Sequence, residues 1–230
     1  MDGSATDTAR DAPVRMNDRP DWVYLLREFS ELYRRSSAGG SKAIRGHMRR
    51  VREGVSATLA ANPPLLPRIR EEKPVLAHLR RALDQGRRER TEGIVRAIEA
   101  VEPQLSWLYG YEKVPGGLAR KYAYAEFSGP QGPILSERVI LGIVLFAPGT
   151  VYPAHAHDGL TESYYVLSGG VSENDDGVFA PGSMIFNPPG RTHRITTGEM
   201  EPVLLTYAWE GPADRLTQQK MTFNRPTRKG

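Results

Sequence analysis

Residues 149–169 read GTVYPAHAHDGLTESYYVLSG, and residues 182–193 read GSMIFNPPGRTH. The first stretch runs from Gly149 through His155 and His157 to Glu162 and closes at Gly169. The second opens at Gly182, passes the turn Pro188-Pro189-Gly190 and ends on His193. Two histidines separated by one residue on a strand project from the same face. Glu162 follows a turn containing Asp158-Gly159, and the proline-glycine turn can deliver His193 from a neighbouring strand. Three imidazoles and one carboxylate are therefore expected to converge. Such a donor set suits a divalent transition metal and leaves positions open for water or substrate. A lone His-x-His would count for little, since surface and satisfied core histidines are common. Here three of the chain's five histidines fall in the two runs, together with the glutamate and the turn glycines. His47 and His78 sit among arginines and leucines and are read as structural or exposed.

The rest of the chain sets the scaffold. Its 230 residues can form one large domain or two small ones with a substantial core. Hydrophobic residues at 39% and charged residues at 25% place it among ordinary globular proteins. Cysteine is absent, which excludes disulfides, thiolate ligands and a cysteine nucleophile. Any metal must then be held by nitrogen and oxygen. Met1 to Pro20 lacks the basic and apolar regions of a secretory signal, and the strongest apolar run, Val139 to Ala147, is strand-sized. The expectation is a cytoplasmic protein with no membrane segment. The net charge of +4 is uneven: residues 1–105 hold 20 Lys/Arg against 15 Asp/Glu, and residues 106–230 hold 11 against 12. The basic excess is interleaved with acids, as in Arg27-Glu28 and Arg70-Glu71-Glu72-Lys73. That pattern predicts a solvated surface and no nucleic-acid partner.

Periodicity divides the chain in two. Over residues 21–35, Trp22, Leu25, Leu26, Phe29 and Leu32 recur at helical spacing, with Asp18 or Asp21 near the start. Residues 42–61 read as a second helix, ended by Asn62-Pro63-Pro64. Pro74 opens another that carries Val75, Leu76, Leu79 and Leu83, interrupted at Gly86. Thr91 is the N-cap expected for a helix bearing Ile94, Ala97, Ile98 and Val101, stopped by Pro103. Residues 1–105 are thus predicted as a helical N-terminal region and 106–230 as a β-barrel domain. In the latter, β-rich runs at 119–127, 137–147, 162–168, 183–187 and 202–209 alternate with Gly and Pro, which suggests an antiparallel barrel or jelly roll. Residues 1–18 and 222–230 read as loose ends.

The two ligand runs resemble the two cupin motifs. The first, G-x5-H-x-H-x4-E-x6-G, is complete from Gly149 to Gly169; the second departs only at Thr197, where the family often has an asparagine that is not a ligand. The resemblance implies a small β-barrel, mainly β with its helical segment in front, that holds one metal ion between His155, His157, Glu162 and His193. Fe(II), Zn, Mn and Ni all accept these donors. Cupins carry many chemistries, so the fold alone does not give the reaction.

Tyrosine placement adds to it. Eight of ten tyrosines lie between Tyr109 and Tyr207. Tyr164 is two residues beyond Glu162, and on a regular strand it must share that side chain's cavity. A divalent cation nearby favours phenolate, and a phenolate beside bound substrate is a competent general base. Tyr122, Tyr124 and Tyr165 read instead as barrel filling or pocket wall.

Glu162-Ser163-Tyr164 after His-x-His, behind a helical half, resembles the cupin-type dimethylsulfoniopropionate (DMSP) lyases, and length together with the run Val151 to His157 is most similar to the DddL type. The resemblance implies cleavage of DMSP to acrylate and dimethyl sulfide, with Tyr164 as the base and Tyr152 as a second catalytic tyrosine. Tyr152 has the wrong parity relative to His155 unless Pro153 breaks the register. A sulfonium would sit well against aromatic faces, and Tyr122, Tyr207 and Trp209 are the candidates. Tyr207 and Trp209 share parity, so both face the cavity or both face outward. Another metal-dependent cupin enzyme, a dioxygenase or isomerase, uses the same donors. A transcriptional regulator with a helical DNA-binding half is the third alternative, but no compact helix-turn-helix stands out. The helices look apolar on one face, suited to packing on the barrel or on a second subunit in a homodimer.

Overall fold

The computed structural model describes residues 13–35, 41–111, 113–219 and 221–223. Helix α1 (Pro20–Arg35) buries Trp22, Leu25, Leu26, Phe29 and Tyr33 as one stripe. Helix α2 (Lys42–Ala61) opens on Ser41, whose side chain accepts from the Ile44 N–H, and closes on Asn62 in the left-handed conformation. Pro74 starts a 3-10 turn that continues into α3 (Leu79–Gly86). Helix α4 (Glu92–Val101) follows Thr91 as expected, yet the Thr91 hydroxyl caps nothing and is buried without a hydrogen-bond partner. A single turn, α5 (Gly116–Ala119), leads into the strands. Among the described residues, no helix is long and apolar enough to cross a membrane.

Among the described residues ten strands follow: β1 (Tyr122–Ser128), β2 (Ile140–Phe146), β3 (Val151–His157), β4 (Thr161–Ser168), β5 (Val171–Glu173), β6 (Val178–Phe179), β7 (Met184–Asn187), β8 (His193–Thr197), β9 (Val203–Glu210) and, after α6 (Ala213–Gln218), β10 (Met221–Phe223). They form two antiparallel sheets, in the orders β1-β2-β9-β4-β7 and β10-β3-β8-β5-β6. The described parts of the two ends expected to be loose are in fact tied down. Leu65 N–H donates to the Val14 carbonyl and Met16 N–H to that of Pro63, with Met16 fully buried. At the other end, β10 pairs with β3. Residues 1–12 and 224–230, which complete the expected loose ends, lie outside the described residues.

The first sheet is covered on both faces, and strand alternation assigns each side chain to one of them. Leu141, Ile143 and Leu145 of β2, Tyr165 and Leu167 of β4, and Leu204 and Ala208 of β9 join the apolar faces of α1 to α4 in one core. Ile140, Val144 and Phe146, with Tyr164, Val166, Leu205 and Tyr207, face the second sheet and form the barrel's own core. This is why the stretch around β2 reads as a continuous apolar run rather than an alternating one: both of its faces are buried.

Candidate active site

Strands β3, β4 and β8 bring the four expected donors together. His155, His157, Glu162 and His193 are all buried, with one candidate ligand atom from each lying within 4.8 Å of the others. Register explains the convergence, since His155 pairs directly with His193 across β3 and β8. The His155 Nδ1–H donates to the Pro153 carbonyl at 2.9 Å and that of His193 to the Arg191 carbonyl at 3.2 Å, which leaves each Nε2 turned toward the cluster. Nε2 of His193 lies 2.9 Å and Nε2 of His157 3.5 Å from Glu162 Oε2, but neither nitrogen has hydrogen-bond geometry, and both ring nitrogens of His157 are buried without a partner. Orphaned buried imidazoles are costly. A metal ion would satisfy them, so the donors fit the ion their sequence suggests. Burial, followed by the neighbouring His193, pushes His155 down to about 3, which keeps it neutral, the form a ligand requires. Burial raises the Glu162 carboxyl, but His157 and His193 outweigh it and hold that carboxyl well below the usual range.

A cavity of about 690 Å³ opens beside the cluster, and its wall includes His155, His157, Glu162, Tyr152, Tyr164 and Tyr207. Tyr164 faces inward with Glu162, its ring 6.2 Å from that of His193. Burial, and then the charge of Glu162, raises its phenol well above the ordinary value. Tyr152 also turns inward. A register shift between Tyr152 and His155 marks a bulge at Pro153-Ala154, which puts Tyr152 on the side of both histidines, 5.1 Å from the His155 ring. It packs among Tyr111, Tyr122 and Phe146. Tyr207 and Trp209 reach the cavity together, and Tyr122 lines it as well. Trp209 has a further contact that its parity did not reveal: its indole N–H donates to Glu162 Oε1 at 2.6 Å, while its ring lies 4.4 Å from that of His157. Tyr165 points the other way and meets Tyr33 in the helical core.

Two supporting groups escaped the sequence. Asn187, the last residue of β7, extends its amide N–H toward Glu162 Oε2 at 3.4 Å and donates to Glu173 Oε2 at 3.0 Å. On the far face of β4, Ser163 Oγ lies 2.7 Å from both Tyr33 Oη and His47 Nε2. His47 Nδ1 is 3.2 Å from Glu210 Oε1, to which Arg50 donates at 2.7 Å. His47 is thus a fully buried link between α2, β4 and β9. Its spacing in α2 marks a buried face, but nothing local in the sequence pairs it with a serine 116 positions away.

Two antiparallel sheets with three histidines and a glutamate gathered between them define a cupin. The chain belongs to the dimethylsulfoniopropionate lyase family, whose model matches residues 47–205. It is 55% identical over 213 residues, 93% of this chain and 92% of the relative, to a protein of Cereibacter sphaeroides named, provisionally, dimethylsulfoniopropionate lyase DddL. Among solved structures it resembles the DMSP lyase DddQ from Ruegeria pomeroyi DSS-3, with a TM-score of 0.68 and 21% identity over 91% of this chain and 98% of that one. A chain from the crystal structures of the DMSP lyases RdDddP and RnDddQII gives a TM-score of 0.63 and 22% identity, covering 90% and 99%. At these identities the two structures speak for the fold.

Proposed function

We propose that this chain cleaves DMSP to acrylate and dimethyl sulfide by β-elimination, at a divalent transition metal ion held by His155, His157, Glu162 and His193. The observation that carries the proposal is the convergence of four buried donors beside an inward-facing Tyr164 in a single cavity. When bound, the ion supplies Lewis acidity toward the substrate carboxylate, which stabilises negative charge developing at the α-carbon. Tyr164 takes the α-proton. The electron pair of that C–H bond becomes the double bond of acrylate, the β-carbon–sulfur bond breaks, and neutral dimethyl sulfide leaves. One proton is released and no oxidant is consumed. Burial and the Glu162 charge favour neutral phenol, so the base role requires the cation's charge beside it to offset both. Tyr152, held on the His155 side, is the second tyrosine in reach of the substrate. Trp209, with its N–H on Glu162, orients that carboxylate while its ring walls the cavity.

The test is gas-phase detection of dimethyl sulfide from purified protein and DMSP, with and without chelator, under anaerobic conditions. Release that chelator abolishes is expected. Absence of release from metal-loaded protein, or an oxygen requirement, overturns the proposal.

A further inference from the structure

Glu126 is the carboxylate of the cavity that the elimination leaves unexplained. Alternation along β1 turns Tyr122, Tyr124 and Glu126 toward the cavity, while Ala123, Ala125 and Phe127 pack against the helices. Glu126 is 4% exposed. The N–H groups of Gln131 and Gly132 donate to its Oε1 at 2.6 and 2.8 Å, and Gln219 Nε2 donates to Oε2 at 2.8 Å. All three partners are neutral. Among the described residues no cationic side chain forms an ion pair with it, and the nearby Arg68 is engaged with the carbonyls of Pro130 and Gly132. The other carboxylates of the wall are taken: Glu162 faces the histidines, and Glu71 accepts from Lys73 at 2.6 Å. A buried carboxylate without an ion-pair partner is unfavourable unless it takes up a proton or a cation. Burial accordingly pushes Glu126 up to about 7, against its hydrogen bonds and the more distant attraction of Arg68.

Its position relative to the histidines follows from register. Glu126, Gly142, Tyr207 and Tyr164 are successive partners across β1, β2, β9 and β4. Gly142 leaves its place to Tyr207, since a Cβ there would stand 2.4 Å from the phenol's Cζ and Oη. The Tyr207 ring therefore leans along the row toward Glu126, edge-on to Tyr124 at 6.4 Å. One row of the barrel wall thus runs from the base candidate, over the Tyr207 ring, to an anion, with the Tyr124 ring beside it in the next row.

We propose that Glu126 is the counter-charge for the onium end of the substrate, so that the cavity takes a zwitterion with its carboxylate at the histidine cluster and its cation over Tyr207 and Tyr124 against Glu126. This rests on the lyase proposal and extends it to specificity: onium propionates are selected over neutral acids of the same shape.

The test measures binding of two inert ligands to the metal-loaded protein by calorimetry, the trimethylammonium analogue of DMSP and its all-carbon tert-butyl isostere. The wild type is expected to prefer the ammonium ligand by about tenfold or more, as a desolvated charge pair allows. Glu126→Gln, which can still accept from Gln131 and Gly132, is expected to erase that preference by weakening only the cationic ligand. Most of its loss in kcat/KM toward DMSP should lie in KM. Glu126→Asp keeps the charge and should keep the preference. Equal weakening of both ligands in Glu126→Gln would mean that the carboxylate only fastens the 129–132 turn, and a wild type that does not discriminate would overturn the proposal without any variant. Dimethyl sulfide release is scored separately, so a wild type that discriminates but releases none sinks the lyase proposal and leaves the onium site standing.

Discussion

Tyr164 owes its direction to parity with Glu162, and the base role proposed for it hangs on one oxygen atom. Tyr164→Phe should lower kcat by about 10²–10⁴-fold, the usual contribution of a positioned base, while bound metal measured by elemental analysis stays at the wild-type level. His157→Ala and Glu162→Ala should lose metal and activity together; retained metal would count against this ligand set. Trp209→Phe and Asn187→Ala each remove an N–H from Glu162, at 2.6 and 3.4 Å, and should weaken metal binding by about 10–100-fold, read by competition with a chromophoric chelator. The convergence of His155, His157, Glu162 and His193 and the inward direction of Tyr164 were legible because each sits at a fixed spacing from a neighbour on the same or a paired strand. Trp209 and Asn187 were not legible as partners of Glu162. Their link arises from the pairing of β9 and β7 with β4, which no local spacing records.

Strand β4 carries two roles on its two faces, with Glu162 and Tyr164 toward the cavity and Ser163 and Tyr165 toward the helices. The hydroxyl of Ser163 anchors it to Tyr33 of α1 and His47 of α2. Ser163→Ala leaves buried partners unsatisfied and should cost about 1–3 kcal/mol in denaturant unfolding. Glu210, at the end of β9, adds an acid dependence. Burial raises its carboxyl, but His47 and Arg50 overcome this and hold it down at about 2. A carboxyl with a lowered folded-state pKa contributes stability above its unfolded value, and that contribution fades as pH falls from about 4.5 toward 2. Melting curves across that range should show the loss in the wild type and a flatter profile in Glu210→Gln. The long helices could be read from periodicity, and the strands β1, β2, β4, β7 and β9 from β-rich runs punctuated by Gly and Pro. The strands β5, β6 and β10, of two or three residues, are too short to display either. The bulge that turns Tyr152 inward reverses a parity argument that holds elsewhere in the barrel.

Across the whole molecule, the proposed metal would be linked to the fold. Burying three imidazoles and a carboxylate within 4.8 Å of one another is unfavourable without an ion, so chelator should lower the melting temperature and added Zn or Mn should restore it. A melting temperature indifferent to chelator would place the ion outside the stability of the barrel. The class and the donor cluster were legible from two short runs of sequence. The shared sheet, with helices behind it and the cavity before it, emerges only when the strands are assembled. That double-sided sheet has a practical consequence. Alternate positions on β1, β2, β4 and β9 answer to different masters, so the cavity wall can be rewritten at every second residue while the intervening ones go on holding the helices. A library confined to the inward positions would explore new leaving groups on an untouched chassis.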